Sequence, residues 1–81
     1  MKIPTPKQVR TTVARNIVAW RTDSGMSQQT LADKAGVDRK TINRIEKGHF
    51  SPSLDTLARL AKAQRKHPTQ YLTVKVNKGG K

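Results

Sequence analysis

The sequence contains no cysteine. That excludes a disulfide framework and any thiolate metal site, and it fits a reducing cytoplasm without requiring one. The two histidines, His49 and His67, lie too far apart for a local zinc pair. Acids are scarce: five Asp and Glu stand in the whole chain. No carboxylate pair, nucleophile–base set or metal cluster is present, so an enzyme is not expected, and neither is a cofactor. Aromatic residues are reduced to Trp20, Phe50 and Tyr71, too few for the stacking platforms of RNA recognition. No apolar run approaches the ~20 residues that span a bilayer. The first residues, Met1 to Lys7, start basic but lead into no apolar stretch, unlike a secretory leader. With 81 residues the chain holds one domain at most. A domain of about 60 ordered residues buries only ~60% of its unfolded surface, which leaves no room for a deep catalytic cleft.

What the chain has in excess is positive charge. Seventeen Lys and Arg give a formal net charge of +12. Such a balance suits a polyanion: nucleic acid, an anionic membrane or an acidic protein. Membrane binding wants one basic helix with a bulky apolar face. Here apolar residues recur over four successive segments, the pattern of a packed globule.

Those segments have readable boundaries. Residues 1–8 carry two prolines and no period, and read as an extended basic arm. From Val9 the spacing turns helical through Val13, Ile17 and Trp20, and Asp23-Ser24-Gly25 ends that helix. Ser27 is a suitable N-cap for a second helix, Gln28 to Ala35, with Leu31, Ala32 and Ala35 on one face. Gly36 permits a sharp turn. Asp38 is positioned to cap a third helix, Arg39 to about Lys47, closed by Gly48. After a loop from His49 to Pro52, Ser53 caps a fourth helix with Leu54, Leu57, Leu60 and Ala61 on its apolar face, running to about Lys66. Beyond it two readings compete. Pro68 can open a short fifth helix, whereas Tyr71 to Val76 alternates and is rich in strand formers, which favours a terminal strand. Asn77 to Lys81 read as a loose tail.

The stretch from Gln28 to Ile45 carries the functional signal. Ala32 is small enough to let the third helix approach the second, and Gly36 makes the tight turn of a helix-turn-helix unit. At 100° per residue Arg39, Lys40, Asn43, Arg44 and Lys47 share an arc of about 140°, with Ile42 and Ile45 on the other side. One helix thus has an apolar back and a basic, amide-bearing front without an acid in its arc. Arg and Lys suit guanine edges, and Asn suits adenine. Gln28 stands in the first turn of the second helix, where free amides and the helix dipole favour an anion.

With these residues in place, positions 13–63 resemble the lambda-repressor and Cro type (XRE-like) of helix-turn-helix domain. The likeness runs in one register through Ile17-Val18-Ala19-Trp20-Arg21, Gly25-Met26-Ser27-Gln28, Leu31-Ala32, Ala35-Gly36-Val37, Thr41-Ile42, Arg44-Ile45-Glu46-Lys47-Gly48 and Pro52-Ser53-Leu54-Asp55-Thr56-Leu57. It implies an all-α bundle of four or five helices whose third helix enters the DNA major groove, with the short C-terminal strand as an addition. Arg39, Lys40, Asn43 and Arg44 would then read bases. Gln28, Gln29, Thr41, Lys47, His49 and Ser51 would meet phosphates. Glu46 would pair with Arg21 to fix the angle between helices. Trp20 continues the apolar stripe and reads as core, and Phe50 as loop packing or partner surface.

The chain departs from the family after the fourth helix. Relatives usually carry Leu-Gly-Val where Gln64, Arg65 and Lys66 stand, which puts the usual helical dimer surface in doubt. A terminal strand pairing across a two-fold axis offers another route, with Leu72, Val74 and Val76 as dimerisation residues. The expected function is double-stranded DNA binding by a cytoplasmic, nucleoid-associated regulator. It would bind as a homodimer on a palindromic operator, with a phage or prophage repressor as the leading reading. The alternative is an antitoxin that represses its own operon and inhibits a toxin protein. An activator belongs with the first reading, and an RNA-binding or architectural role stands further off.

Overall fold

The computed structural model describes residues 3–73. A threonine and a proline start its first helix, α1, Pro6–Asp23. The Thr5 hydroxyl accepts from the Gln8 amide at 3.1 Å, and the Gln8 side chain accepts from the Thr5 amide at 2.8 Å. This reciprocal capping box satisfies two donors that a helix start leaves unpaired. Proline is tolerated at the first helical position, where its missing N–H costs nothing. The expected arm of residues 1–8 is therefore wrong from Pro6 onward, and Lys7 and Gln8 belong to α1.

The next three helices begin on the expected residues. They are α2, Gln28–Ala35, α3, Arg39–Glu46, and α4, Leu54–Gln64. Ser27 and Ser53 cap α2 and α4 by accepting the Thr30 and Thr56 amides at 3.0 Å each. Asp38 occupies the N-cap of α3, but its side chain makes no capping hydrogen bond. Gly36 lies in the left-handed region at φ 71°. A Cβ built there would meet only an Arg59 guanidinium nitrogen at 3.6 Å, an ordinary contact. Glycine is required at that turn by backbone conformation, not by space.

Val13, Ile17, Leu31, Ala32, Ile42, Ile45, Leu57, Leu60 and Tyr71 form the centre of the core. Each large aliphatic side chain there contributes about 1.5–3 kcal/mol by leaving water. Ala32 is fully buried, which suits the close packing of α2 on α3. Leu54, expected on the apolar face of α4, is 85% exposed instead. It is the first residue of α4, and helical side chains lean toward the N-terminus, so it points past the packed part of the face.

α4 stops at Gln64, two residues before its expected end, because Arg65 turns left-handed at φ 57°. A short 3₁₀ helix, Pro68–Leu72, follows. Residues 71 and 72 are thus helical where a strand was expected. Pro68 sits in its first turn, and His67 and Gln70 build a second capping box. Tyr71 is driven into the core, fully buried, while Leu72 is 56% exposed. Strand propensity is weaker than the gain from burying an aromatic ring. The Asn16 side-chain amide holds this end by donating to the Tyr71 carbonyl at 2.8 Å. Val74, Val76 and the tail 77–81 lie outside the described residues. The result is an all-α bundle of four helices closed by a 3₁₀ turn, with no strand among the described residues.

Candidate nucleic-acid interface

α3 is only two turns long, so its placement depends on its neighbours. Ile42 and Ile45 anchor its back, at 0% and 1% exposure. Arg39, Lys40, Arg44 and Lys47 are exposed on its front, and Asn43 is half-buried. The separation of apolar and cationic residues around eight positions is what makes the helix a presenting surface.

A half-buried polar chain locks that surface to α1 and α2. Glu46 accepts from Arg21 twice, Nε to Oε2 at 2.7 Å and Nη2 to Oε1 at 3.0 Å. The Gln28 Nε2 donates to the same Oε1 at 2.8 Å. The remaining Arg21 nitrogen, Nη1, donates to the Met26 carbonyl at 2.9 Å, which fixes the α1–α2 connection as well. A forked arginine–carboxylate pair is directional as well as charged, so it defines an angle between α1 and α3. Among the described residues this is the only ion pair. The Gln28 Oε1 in turn accepts from the Asn43 Nδ2 at 3.4 Å. Gln28 thus joins the start of α2 to both Glu46 and Asn43, and retains one amide proton for an external acceptor.

The other candidates sort by what holds them. The Gln29 Nε2 donates to Asp33 at 2.8 Å along the surface of α2. Thr41 is half-buried beside the α3 start, whereas His49 and Ser51 are exposed in the loop after α3. Arg44 packs its guanidinium 5.1 Å from the centre of the Phe50 ring, which gives that aromatic a role as a shelf. Arg10 was not singled out from the sequence. Its Nε donates to the Gly48 carbonyl at 3.3 Å, tying α1 to the turn that ends α3. The partners lie 38 residues apart, and no local spacing signals such a contact.

Comparison with known proteins agrees with this geometry. The helix-turn-helix family HTH_3 matches residues 17–70. An uncharacterized HTH-type transcriptional regulator of Methanothermobacter thermautotrophicus is 46% identical over 43 residues, 53% of this chain and 62% of that protein. A second from Haemophilus influenzae is 36% identical over 52 residues, 64% of this chain and 53% of that protein. The chain therefore spans about six-tenths or less of the length of these relatives. Among solved structures, the hypothetical transcription factor NHTF from Neisseria superposes with a TM-score of 0.80 at 26% identity, covering 91% of this chain and 85% of its own. The restriction-modification controller protein C.AhdI from Aeromonas hydrophila superposes with a TM-score of 0.74 at 31% identity, covering 76% of this chain and 94% of its own. With the turn, the α3 front and the Arg21–Glu46 brace in the matched region, the chain belongs to the HTH_3 family of helix-turn-helix domains, the lambda-repressor and Cro type.

Proposed function

We propose that the chain is a sequence-specific double-stranded DNA-binding regulator that places α3 in the major groove. The observation that carries this reading is the exposed cationic front of α3, held rigid by the Glu46 hydrogen bonds behind it. Arg39, Lys40, Asn43 and Arg44 are the base readers. Gln28 with its spare amide proton, Gln29, Thr41, Lys47, His49 and Ser51 are the phosphate contacts. The controller described for the C.AhdI neighbour and the regulators among the relatives support a role in transcription. The leading form of that role is repression from a near-palindromic operator. One recognition helix reads only a few base pairs, so a homodimer with α3 helices about 34–36 Å apart supplies the missing discrimination. Exposed Leu72 starts the proposed dimer contact, continued by Val74 and Val76.

Selection of a preferred site from random duplex DNA, followed by footprinting, tests the proposal. Arg39→Ala and Lys40→Ala are each expected to cost ~1–3 kcal/mol on that site and to relax one base position. Wild-type footprints and unchanged site preference in both variants would remove α3 as the reader. Leu72→Glu is expected to leave the fold intact and halve the sedimenting mass; a dimer that survives it places the contact elsewhere.

A further inference from the structure

The cations of this chain are not gathered on α3 alone. A second set, Lys34, Arg59, Lys62 and Arg65, surrounds an open cleft of about 510 Å³. The cleft lies along the seam between α2 and α4, not on the seam α2 shares with α3. None of these four side chains has an acidic partner among the described residues. The one acid at the rim, Asp33, is already hydrogen-bonded to Gln29. Cations near helix C-termini are favourable for the helices themselves, and Lys34 and Lys62 fit that ordinary role.

Arg65, the C-cap of α4, shares that position but pays for it with its backbone conformation. It is the only non-glycine residue with positive φ among the described residues, at 57°. Glycine would adopt that conformation freely, whereas an L side chain is strained there. The left-handed turn nevertheless sets the Arg65 side chain on the lining of the cationic cleft. The floor beside it is Ala35, Gly36 and Ala63, residues too small to fill the groove.

From the four cations without an acidic partner and the small-residue floor between them we propose that the α2–α4 cleft is a second phosphate-binding site, which takes the sugar–phosphate backbone of another duplex segment. Resting on the DNA-binding reading, it makes the protein a bridge between, or a corner for, two stretches of DNA. A duplex backbone is a convex ridge of regularly spaced anions, which suits a shallow, open cleft. Planar guanidinium forks such as those of Arg59 and Arg65 match phosphate geometry.

A two-duplex capture at low salt tests this. The full chain is loaded on an immobilised mixed-sequence duplex, and retention of a second, fluorescent duplex is measured. The wild type is expected to retain it. Arg59→Glu with Lys62→Glu is expected to hold the first duplex and lose the second. The milder Arg59→Ala with Lys62→Ala should flatten the log–log salt dependence of retention by roughly two, one for each lost phosphate contact. Arg65→Gly should melt at a higher temperature and yet retain less second duplex, a combination that a damaged fold cannot produce. Undiminished retention in the charge-reversed variant overturns the proposal while leaving the α3 reading intact. Release of the second duplex by polyglutamate, under conditions where competitor duplex has no effect, overturns it in favour of an acidic protein. Failure of the wild type to hold even the first duplex overturns both readings.

Discussion

α2 and α4 end in the same hydrogen-bond pattern on different residues. After α2, the Val37 amide reaches the Ala32 carbonyl at 3.0 Å over Gly36; after α4, the Lys66 amide reaches the Ala61 carbonyl at 2.9 Å over Arg65. Both pivots are left-handed, at φ 71° and 57°. At the front, the residue chooses the conformation. At the rear, the conformation is imposed on an unfavourable residue by what surrounds it. Gln64 is buried, donates to the Ile17 carbonyl at 3.1 Å and accepts from the Tyr71 hydroxyl at 2.6 Å. Lys66 sits 5.0 Å from the centre of the Trp20 ring, and that ring meets Tyr71 edge-on at 4.9 Å. Gln64 and Lys66, on either side of the left-handed Arg65, thus form a polar clasp between α1, α4 and the 3₁₀ helix.

Removing the clasp should have the largest effect. Tyr71→Ala deletes a fully buried aromatic and strands Gln64. We expect a loss of ~3–5 kcal/mol, a large share of what holds a small domain together. Urea denaturation measures it; a loss below about 1 kcal/mol would mean that the 3₁₀ helix is an ornament on the α1–α4 bundle.

The front is expected to respond differently. Glu46→Ala leaves Arg21 and Gln28 facing an emptied polar site, at a cost of about 3 kcal/mol. It should also weaken DNA binding beyond what the lost stability explains, because α3 loses its brace. Saturating binding at a temperature where the variant is still folded separates the two. Wild-type affinity there would reduce the Arg21–Glu46 pair to a purely structural one.

These unequal regions also explain what the sequence alone could convey. Ser27, Gly36, Gly48 and Ser53 announce their helix boundaries because each acts on its immediate backbone, and the fold class follows from them with the apolar spacing. The α3 front was legible for the same reason, since an eight-residue helix has a computable face. The engagement of Gln28 with Asn43, the Arg10–Gly48 contact and the Gln64–Tyr71 bond were not, because they join residues 15, 38 and 7 positions apart across different elements. The helical start at Pro6 was available in Thr5-Pro6-Lys7-Gln8, whose capping box outweighs the extended look of two prolines. At Tyr71 the local alternation misled, since burial of one ring decides the segment.

The clasp has a pH signature of moderate size. Burial holds the Tyr71 phenol well above its ordinary value of 10.0. The folded state therefore favours the neutral phenol, and the resulting stability is complete below the unfolded value near 10. It is lost as the pH rises from there toward the raised folded value, at up to ~1.4 kcal/mol per pH unit. Tyr71 is the only tyrosine in the chain, so tyrosinate absorbance reports it alone. The absorbance is expected to rise only together with loss of helical signal. Ionisation near pH 10 in a chain that stays helical would show that the phenol reaches water. Tyr71→Phe keeps the ring, leaves the Gln64 oxygen unpaired at a cost of about 1–3 kcal/mol, and should remove this component of the alkaline loss.

The smallest expected effects come from exchanging the two pivots, and they bear most directly on the comparison. Gly36→Ala forces an L residue into the left-handed region with no steric obstacle nearer than the Arg59 guanidinium at 3.6 Å. It should cost about 1–2 kcal/mol, all of it conformational. Arg65→Gly removes the same kind of strain but adds glycine's extra freedom to the unfolded chain, so its net gain should be smaller, about 0.5–1 kcal/mol. The signs must therefore be opposite and the magnitudes unequal. If Arg65→Gly destabilises instead, the arginine must be making folded-state contacts that outweigh its backbone strain. The rear turn would then be stabilised by its side chain as well as by the clasp, and front and rear would differ in what holds the pivot, not only in which residue occupies it.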